Sequence, residues 1–362
     1  MDRLTCNSGL VLFFCAAFFG QAADAAAPYS AADLYAFQGT PYAVAGGQVG
    51  GAWGGAPALW TADGALHNLN SPGEFSGAVY GIGGIFQVGF VNQDAALWQG
   101  SASGGWLNLG SATSFTYSAA TAIGGTAPNQ VIVGYGSPGN GNVAVMWSGA
   151  YFATVTGLNG VHYSSSEALG TDGVHQVGWG TDAAGKHALM WAGSADSVID
   201  LTPANIPGFT NAEAFGVQGQ QQVGELLDAQ NKTNAVVWSG SAASAIDLQP
   251  LNLTGILESV AVATNGTQQV GWGDNGTPGA APSALLWSGS ADSVVDLQSL
   301  LNPAEFVSSQ AYSIDADGNV FGIATDTSGQ EHAIEWQAVP EPAGLGVLVL
   351  AGMMLRRTKG SV

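Results

Sequence analysis

Residues 173–201, GVHQVGWGTDAAGKHALMWAGSADSVIDL, hold three short apolar segments set between turn residues. The first, Gln176-Val177-Gly178-Trp179-Gly180, alternates in character and is rich in glycine, which lets backbones approach or turn a corner. The second, His187 to Trp191, closes an apolar run on a tryptophan, and the third ends in Asp200-Leu201. Asp172-Gly173, just ahead, tolerates the positive φ of a tight hairpin. Apolar segments this short, split by such turn signals, predict strands.

All three segments recur along the chain. Gln-Val-Gly-like strands centre on Val49, Val88, Val133, Val177, Val223, Val270 and Phe321, a period of about 45 residues. Apolar strands closed by tryptophan end at Trp60, Trp98, Trp147, Trp191, Trp238, Trp287 and Trp336. A strand ending in leucine, most often after Asp or Asn, follows at Leu69, Leu109, Leu158, Leu201, Leu248 and Leu297. No such strand follows Trp336; its counterpart is SAADL, Ser30 to Leu34, at the other end of the chain.

That offset of one strand predicts an all-β fold: a seven-bladed β-propeller over residues 28–338, four short strands per blade, closed by the N-terminal strand so that no sheet edge stays open. A linear solenoid would instead need atypical capping repeats. The seven tryptophans are expected to fill the space between adjacent blades, where cutting one to alanine costs about 3–5 kcal/mol.

Two segments stand outside the repeat. Residues 1–27 carry an apolar run, Gly9 to Phe19, then small residues, the pattern of a secretory signal peptide cleaved near Ala25 to Ala27. Both cysteines, Cys6 and Cys15, lie in that segment, so the exported body has no disulfide and no thiol chemistry. Residues 339–362 join Pro340-Glu341-Pro342 to an apolar stretch, Ala343 to Leu355, and a basic end with Arg356, Arg357 and Lys359. A helix over that stretch reaches about 20 Å, short of the roughly 30 Å hydrocarbon core. It reads as a short C-terminal hydrophobic helix serving as a disposable address, the alternative being a marginal membrane helix with its basic end on the cytoplasmic side.

Between these ends the charge is one-sided: Lys186 and Lys232 face 23 Asp and Glu residues. Such a surface repels nucleic acid and anionic lipid, whose phosphates need Lys and Arg, so no nucleic-acid partner is expected.

Units such as GKHALMWAGSADSVIDL resemble the extracellular repeats of the HAF family, named for His-Ala-Phe. The position reads His187-Ala188-Leu189 and His332-Ala333-Ile334 here, and no unit keeps the Phe. The tail resembles the PEP-CTERM sorting signal of Gram-negative bacteria, with Val339 to Pro342, the apolar stretch and Arg356-Arg357 matching its three parts in order. The resemblance implies that Pro340, Glu341 and Pro342 are read by an exosortase, an integral membrane sorting enzyme, after transient inner-membrane insertion of the tail. It also implies an association with exopolysaccharide and biofilm matrix.

Candidate chemistry in the body is sparse. His67, His162, His175, His187 and His332 show no HExxH and no i, i+4 pair, and the two that recur at one repeat position read as structural. No metal or other cofactor is expected; the nearest approach is DADGN, where Asp315, Asp317 and Asn319 mimic the opening of a calcium loop whose twelfth position is Asp326. Ser164 to Glu167, SSSE, lacks a nucleophile elbow and reads as a blade-edge loop. The expected protein is non-enzymatic, exported to the cell envelope, surface or extracellular matrix, with a binding or structural role toward exopolysaccharide or another surface glycan. The alternatives are a secreted glycan-active propeller enzyme, marked by two carboxylates converging in one mouth of the ring beside an aromatic platform, and a calcium-stabilised adhesin.

Overall fold

The computed structural model describes residues 29–71, 76–100, 105–160 and 162–339. Residues 1–28 and 340–362 lie outside them, and with them the proposed signal peptide, Pro340, Glu341, Pro342, Arg356, Arg357 and the C-terminal helix. Among the described residues no helix is long and apolar enough to cross a membrane.

Residues 29–338 form a seven-bladed β-propeller of seven four-stranded antiparallel sheets. Blades 1 to 6 each use four consecutive strands; blade 4, for example, runs Ser165–Thr171, Gln176–Thr181, Lys186–Trp191 and Ile199–Asp200. Blade 7 takes three strands from the chain's end, Phe306–Ile314, Val320–Asp326 and Glu331–Ala338. Its fourth is Tyr29–Phe37, paired with Glu331–Ala338 from Tyr29 opposite Ala338 to Phe37 opposite Glu331.

The core is divided into seven apolar clusters among the described residues, one in each seam between blades. Each cluster holds one of the repeat tryptophans, all of them buried. Trp98 Nε1 donates to the Leu69 carbonyl of the preceding blade, Trp147 to Leu109 and Trp336 to Leu297, at 3.0–3.1 Å. The tryptophan and leucine signals of the sequence therefore meet across a seam. The leucine also ends its own sheet, since the Leu69, Leu109, Leu158, Leu201, Leu248 and Leu297 N–H groups all donate to the third strand of their own blade.

The Gln of Gln-Val-Gly has a local task. In blades 4, 5 and 6 it is buried opposite the tryptophan, and its Oε1 accepts the N–H of Gly193, Gly240 or Gly289 at 2.8 Å, tying down the turn that leaves the tryptophan strand. Buried serines join blades in four seams: Ser118, Ser166, Ser259 and Ser309 accept the N–H of Ala95, Ala144, Ala235 and Ala284 in the blade before. Ser164–Glu167 is accordingly no edge loop. Ser165 begins the first strand of blade 4, and Ser166 is fully buried in its seam.

Because packing is concentrated in the seams, the described residues leave the axis open. The first strands of all seven blades line one cavity of about 530 Å³.

Candidate functional site

Every first strand carries one residue too many relative to its neighbour. The register slips between Pro41 and Ala43, Val79 and Gly81, Ala120 and Ala122, Ala168 and Gly170, Ala214 and Gly216, Ala261 and Ala263, and Ala311 and Ser313. A β-bulge of this kind bends the strand and re-aims the extra side chain. The extra residues are Tyr42, Tyr80, Thr121, Leu169, Phe215, Val262 and Tyr312, and all seven line the axial cavity.

The bulge also explains the glycine of the repeat. At Gly51, Gly89, Gly134, Gly178, Gly224, Gly271 and Gly322 an added Cβ would run into the carbonyl oxygen of the facing first strand, that of Thr40, Ala78, Ala119, Glu167, Glu213, Val260 or Gln310. In blade 1 this places the motif one residue later than the sequence suggests. Val49, and not Gln48, lies opposite Trp60, because Gly50-Gly51 offers two glycines and the second takes the crowded place.

The residue after that glycine varies, and with its partners it lies at the rim, or mouth, of this cavity: Trp272 lines the cavity, and Phe90 packs on Tyr80, which also lines it. Blades 1 to 3 supply a chain of rings: Tyr42 to Tyr80 at 5.2 Å, Tyr80 to Phe90 at 5.5 Å, Phe90 to Tyr117 at 5.9 Å and Tyr117 to Tyr135 at 6.0 Å between centroids. Blades 6 and 7 add Trp272 and Tyr312, 5.6 Å apart. Apart from the exposed Tyr42, these rings are half-buried, with part of each open to solvent.

Between the two aromatic arcs lies an acidic sector. Glu167 of blade 4 faces Trp179 across the sheet, and Asn142 Nδ2 donates to its Oε1 at 2.6 Å. Glu213 and Glu225 of blade 5 face each other across its first two strands. Lys186 Nζ binds Glu213 Oε1 at 2.6 Å and sits 4.7 Å from the centre of the Trp179 ring. No hydrogen bond or ion pair engages the Glu225 carboxyl among the described residues. Burial, reinforced by the Glu213 charge, pushes Glu225 up to about 7, with Lys186 opposing. Burial likewise raises Glu167 against the pull of Asn142 and Lys186. Tyr80 is raised to about 12, first by burial and then by Tyr117, Tyr42 and Glu167, so its hydroxyl stays a donor at neutral pH.

Other candidates fall elsewhere. His187 Nδ1 lies 2.8 Å from Asp200 Oδ2 and its Nε2 3.1 Å from Asp182 Oδ1, linking the third strand of blade 4 to its fourth and to a turn. Asp315 Oδ1 accepts the N–H groups of Asp317 and Asn319 at 2.9 and 2.8 Å, and its Oδ2 accepts Asn319 Nδ2 at 2.9 Å, so its carboxylate organises a hairpin turn. Asp326 closes the next strand, Val320–Asp326, about 20 Å away along extended chain, and accepts N–H groups from Ser328 and Gln330. Among the described residues no three His, Cys, Asp or Glu side chains stand close enough to share a metal ion.

The mouth residues escape a search for recurring letters because they are the letters that change. Phe90, Tyr135, Trp179, Glu225 and Trp272 follow the same Gly in successive units. A large or charged side chain at the variable place of a constant motif is the signal that marks them.

No family model matches the chain, and no curated protein matches it. Solved structures that align with it include TolB from Acinetobacter baumannii, at 11% identity over 85% of this chain and 79% of that one, with a TM-score of 0.43. The BP39L lectin from Burkholderia pseudomallei aligns at 15% identity over 86% of this chain and 98% of the lectin, TM-score 0.46. A puromycin-hydrolyzing peptidase of Mycobacterium tuberculosis aligns at 13% identity over 86% of this chain and 52% of its own, TM-score 0.43. None of the three assigns a residue of the site.

Proposed function

We propose that the protein is an exported glycan-binding propeller of the cell surface or extracellular matrix, and that the channel mouth is its binding surface. The observation that carries this reading is the mouth itself, where open aromatic rings from five blades stand beside carboxyl, amide and phenol groups. A sugar offers an apolar C–H face to a ring and hydroxyls to such polar groups, and a concave, mostly apolar site with a few placed polar groups is how small ligands are held. Exopolysaccharide fits the exported location that the sequence ends suggest. In the same reading the tail is an exosortase address, and the protein binds without turning over its ligand.

Titrating the full chain against a panel of soluble oligosaccharides tests the binding role. Tyr80→Ala and Trp272→Ala should each abolish saturable binding, and retention of full affinity by both variants would move the site elsewhere. Replacing Pro340-Glu341-Pro342 and fractionating cells tests the address; unchanged size and location would end that part of the proposal.

One observation favours a second reading, a glycan-active enzyme. Glu213 is paired with Lys186 at 2.6 Å while burial raises the facing, unpaired Glu225 to about 7, and two facing carboxyls in such unlike surroundings are what acid–base hydrolysis of a glycosidic bond uses. Measuring reducing ends in the same titrations separates the two, since a binder leaves the oligosaccharide intact.

A further inference from the structure

The mouth already holds one ammonium group of the protein's own. Lys186 lies on the Trp179 ring and against the Glu213 carboxylate, so a primary amine is held there by a ring face and an acid together. A cation over an aromatic face gains most when it is drawn out of water, and a charged hydrogen bond to a carboxylate adds direction.

Two blades on, Trp272 repeats Trp179. Both follow the Gly of Gln-Val-Gly, both are half-buried, and they pair with the equivalent Ala284 and Ala188 of the third strand. Two residues before Ala188 stands Lys186; two residues before Ala284 stands Pro282. The second ring therefore lacks the lysine that covers the first. Glu225 occupies the same second-strand position in blade 5, between the two tryptophan blades, with Glu258 of blade 6 close enough to raise it further. Lys232, the other lysine of the body, forms no ion pair among the described residues.

We infer that the sector from Glu225 to Trp272 binds an ammonium group of the ligand, and that the glycan taken by the mouth is one with free primary amines, a partly de-N-acetylated hexosamine polymer. This rests on the glycan-binding reading above and names its ligand class. A ligand ammonium beside Glu225 favours its ionised form and so draws off its proton, pairing with the carboxylate that results, while Trp272 and Tyr312 take the sugar face. A divalent metal is a poorer occupant because, among the described residues, the carboxylates are spread around the ring and do not gather in threes.

The test is calorimetric titration of the full chain with glucosamine, N-acetylglucosamine and glucose oligomers of equal length. Glucosamine oligomers should bind about tenfold tighter than the other two. Glu225→Gln should remove that preference, while Asp317→Asn, which removes an exposed acid in a hairpin turn at the far end of a first strand, should keep it. Equal affinity for all three oligomers would overturn the ammonium site and leave the glycan reading standing. A preference that survives Glu225→Gln, or that falls equally with Asp317→Asn, would reveal mere attraction to an acidic protein and also overturn it. Binding of none of the three would overturn the glycan reading itself. The comparison of oligomers needs no variant, so a misfolded mutant leaves it intact.

Discussion

His332 in the third strand of blade 7 places its Nδ1 2.9 Å from Oδ2 of Asp33, a residue 299 positions earlier in the chain. The same pair recurs inside blade 4 as His187 and Asp200, and Asn takes the place of His in blade 5, where Asn234 Nδ2 donates to Asp247 Oδ2 at 2.9 Å. The repeated His of the sequence is thus a clasp between third and fourth strands. His332→Ala should lower stability by about 1 kcal/mol, the usual net worth of one such bond at a partly exposed site, and His332→Asn should restore most of it. Urea unfolding of the two variants checks this; equal losses would mean that the side chain acts by packing against Phe306 instead.

Asp33 belongs to a strand whose whole contribution is non-local. Tyr29–Phe37 supplies the outer edge of blade 7, and Phe37 also packs on Trp60 of blade 1 at 5.3 Å between rings. Deleting residues 29–37 should therefore loosen both blade 7 and the seam that closes the ring. The expected result is loss of a single cooperative thermal transition, recovered on adding the nine residues as a synthetic peptide. An unchanged transition without them would show that closure does not depend on this strand.

The seven crowded glycines give a sharper contrast. A Cβ at Gly178 would meet the Glu167 carbonyl inside contact distance, whereas one at Gly157, in the fourth strand of blade 3, meets nothing within 4 Å. Gly178→Ala should cost at least about 1–3 kcal/mol, since the backbone across the bulge must shift. Gly157→Ala should be neutral or stabilising by up to about 1 kcal/mol, because it only restricts the unfolded chain. Paired denaturation curves decide it, and a mild Gly178→Ala would mean that the bulge yields.

How much of this was legible beforehand follows from what a repeat conserves within itself. Trp147, Leu109 and Gln176 recur because each seam and turn needs them, so strand count and blade number could be read from letters alone. The bulges could not. Tyr80 and Phe215 differ in chemistry although both are the extra residue of a first strand, and a one-residue slip leaves no periodic trace in so short a strand. The carboxyl sector was hidden for a further reason: Glu213 and Glu225 stand twelve residues apart in sequence and meet only through hairpin register. Asp315 and Asp326 show the converse, since loop-like spacing brought them no closer than the two ends of a strand.

The same register fixes a pH dependence. Glu225 moves from an ordinary value near 4.5 to about 7 on folding, chiefly because the folded protein withdraws it from water and secondarily because Glu213 is charged beside it. The folded state therefore holds this proton more tightly than the unfolded chain does, and its contribution to stability is full below about pH 4.5. As pH rises, that contribution is lost progressively and is gone above about pH 7, a change of at most about 3 kcal/mol. Asp182, held below the usual carboxylate range by the Ala184 N–H and by His187, and Asp326, held there by Ser328 and Gln330, act in the opposite sense, but only below about pH 4. Between pH 4.5 and 8 the melting temperature should accordingly fall. Glu225→Gln carries no charge to lose, so it should melt with a flatter pH profile, match the parent near pH 4.5 and exceed it at pH 8. A variant whose profile runs parallel to the parent's throughout would place the titrating group elsewhere in the acidic sector, with Glu167, also raised by burial, the next to replace.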